Sequence, residues 1–235
     1  MKVEICIPAY NEAPIIEHSV KTVAAALPVL PGVEWFITVA DNGSTDGTAD
    51  IVRSMRLDGI AARSISGRGK GRAVIEAARA SSADIFGFID ADLSADPACI
   101  SELLQEVMSG SDLAIGSRLL SAAEVDREGM RTFSSRFFAQ MRNVLLSLDI
   151  ADSQCGLKLA NRKGIEQLVL CREHGWFFDI EWLAYASRKG LAVKEVPIRW
   201  TEFYFPDRKS KLNVLRDGIR GIIALFRIRG RMMEG

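Results

Sequence analysis

The stretch Ile85–Pro97, IFGFIDADLSADP, decides the fold. Its first five residues are apolar, as in a strand buried on both faces, and they run directly into Asp90-Ala91-Asp92. Outward from it, β-branched runs at Val3–Pro8, Glu34–Ala40, Ile60–Ser64, Ala83–Ile89, Leu113–Gly116 and Ala192–Pro197 predict strands. Helical spacing fills the gaps at Glu12–Leu27, Asp46–Met55, Lys70–Ser81 and Ala98–Ser109, and later at Arg127–Leu148, Arg162–Cys171 and Phe178–Arg188. Strands alternating with helices predict an α/β fold, a mostly parallel sheet with helices on both faces. Ligands of such sheets bind beyond the carboxyl ends of the strands, so the polar residues that follow each strand are the candidates.

Composition sets the outer bounds. With 235 residues, 48% of them hydrophobic and 26% charged, the chain can bury a core and is neither disordered nor collagen-like. No apolar run reaches the ~18–20 residues of a membrane-spanning helix. The opening MKVEICIPAYNE turns acidic too early for a secretory signal. Cys6, Cys99, Cys155 and Cys171 are widely spaced without a CxxC pair, which predicts buried thiols in a reducing, cytoplasmic compartment. His18 and His174 are too few for a His-rich metal centre. The net charge of zero is unevenly distributed: Arg208–Gly235 carries +6 and the remainder −6. One domain is expected over residues 1–207, followed by a basic segment, 208–235.

Strand one ends in IPAYNE, which places Pro8, Tyr10, Asn11 and Glu12 at the carboxyl edge. Strand two ends in ADNGSTDGT, where Gly43 and Asp46 suit a strand–turn–helix connection. Asp41, at the mouth of the sheet, can accept an N–H from a flat base such as uracil. The segment Gly67–Val74, GRGKGRAV, opens a helix, and its backbone N–H groups with Lys70 and Arg72 suit a phosphate. It lacks the Ser/Thr of a Walker A loop and the GxGxxG of dinucleotide enzymes. In extended backbone Asp90 and Asp92 point the same way, so both carboxylates can face one cation, such as an Mg²⁺ that shares substrate phosphates. Alternatively, Asp92 or Asp96 caps the helix that begins at Pro97.

These motifs resemble the family-2 glycosyltransferases of GT-A fold. In the second half, DSQCGLKLANR (Asp152–Arg162), WFFDIEWLAYA (Trp176–Ala186), EVPIRWTE (Glu195–Glu202) and RKSK (Arg208–Lys211) are similar to the polyprenyl-phosphate glycosyltransferases of the dolichyl-phosphate glucosyltransferase type. The resemblance implies inverting transfer of a hexose from a nucleotide-diphospho-sugar, UDP-linked before GDP-linked, to a polyprenyl phosphate. It implies that Pro8, Tyr10, Glu12 and Asp41 hold the base and ribose, with Lys70 of the Gly-Lys-Gly segment also on the donor. Asp90 and Asp92 would bind Mg²⁺ or Mn²⁺ against the diphosphate, and Ala91 between them would lie on the donor. Arg118 would approach the sugar or a phosphate, and Arg199, Arg208 and Lys211 would steady the diphosphate and acceptor. Asn42 stands where the family often has a second Asp, and the membrane-spanning segments that some members carry are not expected here.

The acceptor decides whether a base is needed. A phosphomonoester, with a second pKa near ~6, is already anionic at neutral pH. A sugar hydroxyl needs a general base worth ~10²–10⁴-fold. Asp179 is the first candidate and Asp152 the second; otherwise Asp179 and Glu181 cap or pair near a helix start. Leu212, Leu215, Ile219, Ile222 and Phe226 form one apolar stripe flanked by Arg216, Arg220, Arg227, Arg229 and Arg231. A basic amphipathic helix of this kind favours an anionic membrane surface, here the inner face; its alternative is packing on the sheet or on a second copy in a homodimer. The rival activity is transfer to a saccharide hydroxyl in polysaccharide or glycoconjugate synthesis. A sugar nucleotidyltransferase would need a Gly- and Arg-rich loop where IPAYNE stands, and a non-catalytic adaptor would not need Asp90 and Asp92. Without aromatics interleaved in the basic segment, nucleic acid is not an expected partner.

Overall fold

The computed structural model describes residues 1–126, 142–201 and 214–234. Its strands are β1 (Lys2–Ala9), β2 (Glu34–Asp41), β3 (Ile60–Ser64), β4 (Ile85–Ile89), β5 (Leu113–Ser117), β6 (Glu124–Asp126), β7 (Leu157–Asn161), β8 (Val193–Pro197) and β9 (Arg199–Thr201). One sheet has the order β3-β2-β1-β4-β7-β5-β8, and β6 and β9 pair as a separate parallel ribbon. All strands of the large sheet run the same way except β7, which lies antiparallel between β4 and β5. The helices are α1 (Ile16–Ala26), α2 (Thr48–Ser54), α3 (Lys70–Ala80), α4 (Ile100–Met108), α5 (Arg162–Val169), α6 (Phe178–Arg188) and α7 (Val214–Glu234).

Alternation along the central strands builds two cores. Val3, Ile5 and Ile7 of β1 face α1 and α4, together with Ile85 and Ile89 of β4. Cys6, Phe86 and Phe88 face the other way, against α3, α5, α6 and α7. Every residue of β4 is buried, the signature of a strand covered on both sides. Gly87 is required there, because a Cβ would lie 2.5 Å from the Lys158 carbonyl oxygen of β7.

The expected strands and helices are present with boundaries shifted by a few residues, except that α1 starts at Ile16 rather than Glu12. β7 was not expected, because Lys158 interrupts its apolar run. Of the expected helix Arg127–Leu148, residues 127–141 lie outside the described residues, and 142–146 are helical. All four cysteines are unpaired and buried. Of the tail's expected stripe, Leu212 and the side chains of Leu215 and Ile219 lie outside the described residues. Helix α7 packs inward through Gly221, Ala224, Leu225 and Ile228, whereas Ile222 and Phe226 face outward, 38% and 58% exposed. No helix among the described residues is long and apolar enough to cross a membrane.

Candidate active site

The carboxyl edge gathers loops from both halves of the chain. IPAYNE and DNGSTDG are laced together. Asn11, at φ +54°, donates its N–H to Ser44 Oγ (2.9 Å), and its side-chain oxygen accepts from the Thr45 N–H (2.8 Å). The N–H groups of Glu12 and Ala13 donate to Thr48 Oγ1 and Asp46 Oδ2, both at 2.9 Å. Asp41, 5% exposed, accepts the Ser44 N–H at 3.2 Å. Tyr10 lies under the Arg68 guanidinium, 5.3 Å from ring centroid to Cζ. Asn42 accepts the Gly69 N–H at 2.9 Å, so this departure from Asp ties the second loop to the Gly-rich one.

The Gly-rich loop corrects one expectation. The first N–H groups of α3 are not an open phosphate cradle: Gly71 and Arg72 donate to the carbonyls of Gly175 and His174 (3.2 and 3.1 Å). The approach is so close that a Cβ on Gly69, at φ +133°, would sit 2.0 Å from the His174 oxygen. What the loop delivers is Lys70. Its ammonium lies 2.6 Å from Asp90 Oδ1 and over the rings of Phe88 and Trp176, at 5.1 and 5.4 Å. Burial would pull the Lys70 pKa down, but Asp90, Asp179 and Asp92 together hold it above the ordinary lysine value.

Asp90 and Asp92 are presented differently from the extended geometry expected of them. The strand stops at Ile89, and Asp90–Leu93 form a turn closed by the Leu93 N–H on the Asp90 carbonyl (3.0 Å), with Leu93 at φ +53°. Both carboxylates still act on Lys70. Asp92 accepts the Ser94 N–H (3.2 Å), and Asp96 caps the turn at Pro97 through the Ala98 N–H (2.9 Å).

The second half closes over this centre. Gly156, just before β7, accepts the Asp90 N–H (3.0 Å), and a Cβ there would lie 2.2 Å from Asp90 Oδ2. Arg118, after β5, grips Asp152 with Nε and Nη2 (2.7 and 2.8 Å) and adds its backbone N–H (3.0 Å). Burial alone would raise the Asp152 pKa; Arg118 more than offsets this and leaves it below the usual range. Glu195 of β8 holds the same segment through the Ala151 and Asp152 N–H groups (2.7 and 2.9 Å).

Asp179 of α6 is 2% exposed, with Oδ2 3.4 Å from Nζ of the fully buried Lys158. Burial pushes its carboxyl pKa up, and Lys158 and Lys70 pull it partly back. Arg199 reaches Asp96 at 2.7 Å. It stands on the wall of a cavity of about 690 Å³ between α1 and the β6–β9 ribbon, shared with Asp92, His18 and Trp200. Pro8 and Ala91 lie at the ends of β1 and β4, while Arg208 and Lys211 fall outside the described residues. Sequence reasoning singled out neither Gly156, Trp176 and Glu195 at this edge nor Lys158 beneath it, although the second-half motifs contain all four.

The donor set fits a hard divalent cation. Asp90 and Asp92 offer oxygen only, and because Lys70 occupies Asp90 Oδ1 at 2.6 Å a cation would share that carboxylate with the ammonium. No group of three or more His, Cys, Asp or Glu that could hold a metal occurs among the described residues. A cation held by Asp90 and Asp92 would therefore complete its shell with substrate phosphate oxygens and water, as Mg²⁺ commonly does.

This architecture is the GT-A fold. The glucosyl-3-phosphoglycerate synthase of Mycobacterium tuberculosis, solved with Mn²⁺, UDP-glucose and phosphoglyceric acid, superposes at a TM-score of 0.70 and 22% identity, over 97% of this chain and 79% of that one. The chain belongs to glycosyl transferase family 2, whose pattern matches residues 4–169. It is 33% identical over 223 residues to the glycosyltransferase AglD of Haloferax volcanii, covering 92% of this chain and 35% of that protein. With the dolichyl-phosphate beta-glucosyltransferase of Saccharomyces cerevisiae it shares 30% identity over 221 residues, 84% of this chain and 66% of that protein. The chain thus spans between about a third and two thirds of the length of these relatives.

Proposed function

We propose that this chain transfers a hexose from a nucleotide-diphospho-sugar, UDP-linked in the first instance, to a polyprenyl phosphate, with inversion at the sugar and with Mg²⁺ or Mn²⁺ as cofactor. The observation that carries the reading is the Lys70–Asp90 pair beside Asp92 at the carboxyl edge of the sheet. A bound metal would supply positive charge to the departing diphosphate. The chain's own part is fixed charge: the Lys70 ammonium, held against Asp90, Phe88 and Trp176, would offer its remaining N–H donors to a phosphate oxygen. Tyr10, Glu12 and Asp41 lie at the adjoining strand ends, where the base and ribose would sit.

Two observations favour a phosphate acceptor over a hydroxyl. The candidate bases are committed elsewhere, Asp152 to Arg118 and Asp179 to Lys158, and an anionic acceptor needs neither. The outward face of α7 exposes Ile222, Ile223 and Phe226 beside Arg220 and Arg227, which suits peripheral contact with an anionic membrane where a lipid carrier resides. A thermal-shift screen of UDP- and GDP-sugars with and without Mn²⁺ tests the donor. A metal-dependent shift for one nucleotide supports the reading, and none for either opposes it. Radiolabel transfer to prenyl phosphate rather than to free saccharides tests the acceptor.

A further inference from the structure

The residues that hold Lys70 in place lead away from the sheet to the C-terminal helix. The N–H groups of Gly71 and Arg72 are bonded to the Gly175 and His174 carbonyls, and the Trp176 ring lies against the Lys70 ammonium. Segment 172–176 is in turn suspended from one buried carboxylate: Glu181 Oε2 accepts the N–H groups of Arg172 (2.8 Å) and Glu173 (2.7 Å). The other oxygen, Oε1, takes Arg231 Nη1 at 2.7 Å and the Tyr185 hydroxyl at 3.0 Å. Arg231 also lies 3.2 Å from Glu173 Oε1, with Arg227 3.5 Å from Glu173 Oε2. Glu181 is fully buried and Arg231 keeps only 20% of its side chain exposed.

We propose that Arg231 is a positioning residue for the donor site: clamped on Glu181 and Glu173, it sets segment 172–176 and through it the start of α3 and the Lys70 ammonium. The inference rests on the reading of Lys70 and Asp90 as the donor diphosphate centre. Two facts single out this route. Glu181 carries no other cation than Arg231 among its described partners, so removing Arg231 leaves a buried carboxylate that must relax, and the groups it holds are the 172 and 173 amides. The fit at the next link is tight, since a Cβ on Gly71 would lie 2.7 Å from the Glu173 oxygen and 2.6 Å from Phe178 Cβ, so movement of 173 is transmitted to 71.

The test is residue-resolved amide hydrogen exchange on the full chain without ligand, for wild type, Arg231→Ala, Arg231→Lys and Ile228→Ala. The last variant loosens the inward face of α7 without touching the clamp. Arg231→Ala is expected to lower protection at Gly71, Arg72, Arg172 and Glu173 roughly tenfold, the size of one charge-assisted hydrogen bond, with Ile5 and Phe88 unchanged and Arg231→Lys intermediate. UDP affinity in the presence of Mn²⁺ should fall with it by a similar factor. Unchanged protection, or equal loosening of the same amides by Ile228→Ala, overturns the clamp. Loosened amides with unaltered UDP affinity overturn the positioning role and leave the donor centre standing. Wild-type protein that binds no nucleotide diphosphate at all overturns the donor reading and the positioning role with it, while exchange still decides whether the clamp orders the segment.

Discussion

The first half of the chain builds its part of the site by local rules, and the second half builds its part by distant pairing. Before Gly116, each polar residue at the edge follows a parallel strand: Tyr10 and Glu12 after β1, Asp41 at the end of β2, Asp90 after β4. The loops are short and bonded to one another by Asn11, Ser44, Asp46 and Thr48. After Gly116 the groups arrive from elsewhere. Gly156 and Asp152 precede β7, which runs against its neighbours, and Asp152 is fixed by Arg118 and Glu195 from β5 and β8. Lys158 and Asp179 pair beneath the edge rather than on it. The difference teaches where each half is vulnerable: the first through the carboxylates themselves, the second through the ion pairs that hold the cover down.

If that contrast is right, the largest effect on stability comes from the second half. Asp152→Asn leaves Arg118 without its buried partner and should cost about 3 kcal/mol in denaturant unfolding, the low end for such pairs because Arg118 is about a quarter exposed. The same pair predicts acid sensitivity. Asp152 titrates below the usual ~3.9 in the fold, so its contribution is complete above that value and is lost as pH falls through the folded pKa. A flat wild-type stability profile from neutral pH down through that range, or an Asp152→Asn variant as stable as the parent, would break the comparison.

Gly156→Ala probes the contact between the halves. Its Cβ would overlap Asp90 Oδ2, and a carboxylate displaced by that much should lower turnover by ~10² at little cost to the first-half core. Steady-state kinetics beside a melting curve separate the two. Phe226→Glu sharpens the outer boundary of the second half. It removes an exposed apolar group from the basic face of α7 and should weaken binding to anionic vesicles about tenfold, with UDP affinity unchanged. Retained sedimentation with vesicles would mean that the face is only a solvated surface.

The smallest effect on turnover is expected at Asp179, although Asn there leaves the fully buried Lys158 without its carboxylate and should cost at least as much stability as Asp152→Asn. With a phosphate acceptor no proton must be abstracted, so Asp179→Asn in folded, donor-competent protein should lower activity by less than roughly tenfold, with a flat rate profile above the phosphate's second pKa. A loss beyond ~10²-fold with a vanished acidic limb would assign it as the base of a hydroxyl acceptor.

The same contrast governs what could be read without coordinates. Parallel strands and their following loops follow from periodicity, so β1 to β5 and their acids were legible, as was the Asp96 cap before Pro97. β7 was not, because Lys158 breaks its apolar run and its partners are fixed only by tertiary pairing. The i, i+2 logic for Asp90 and Asp92 assumed extended chain where a turn intervenes. The apolar stripe of the tail was recognised, but not that a second face, Ala224, Leu225 and Ile228, would enter the core. Nothing local could have indicated that the α3 amides are taken up by the His174 and Gly175 carbonyls, about a hundred residues on.

In the proposed function the Asp90–Asp92 turn is the place where metal and donor diphosphate would meet. Calorimetric titration of UDP-sugar with and without Mn²⁺, on wild type and on the Asp90→Asn, Asp92→Asn double variant, tests that most directly. The wild type should bind in a metal-dependent manner, and the double variant should retain its fold and lose that dependence together with most of its affinity. Undiminished, metal-dependent binding by the double variant would contradict the assignment.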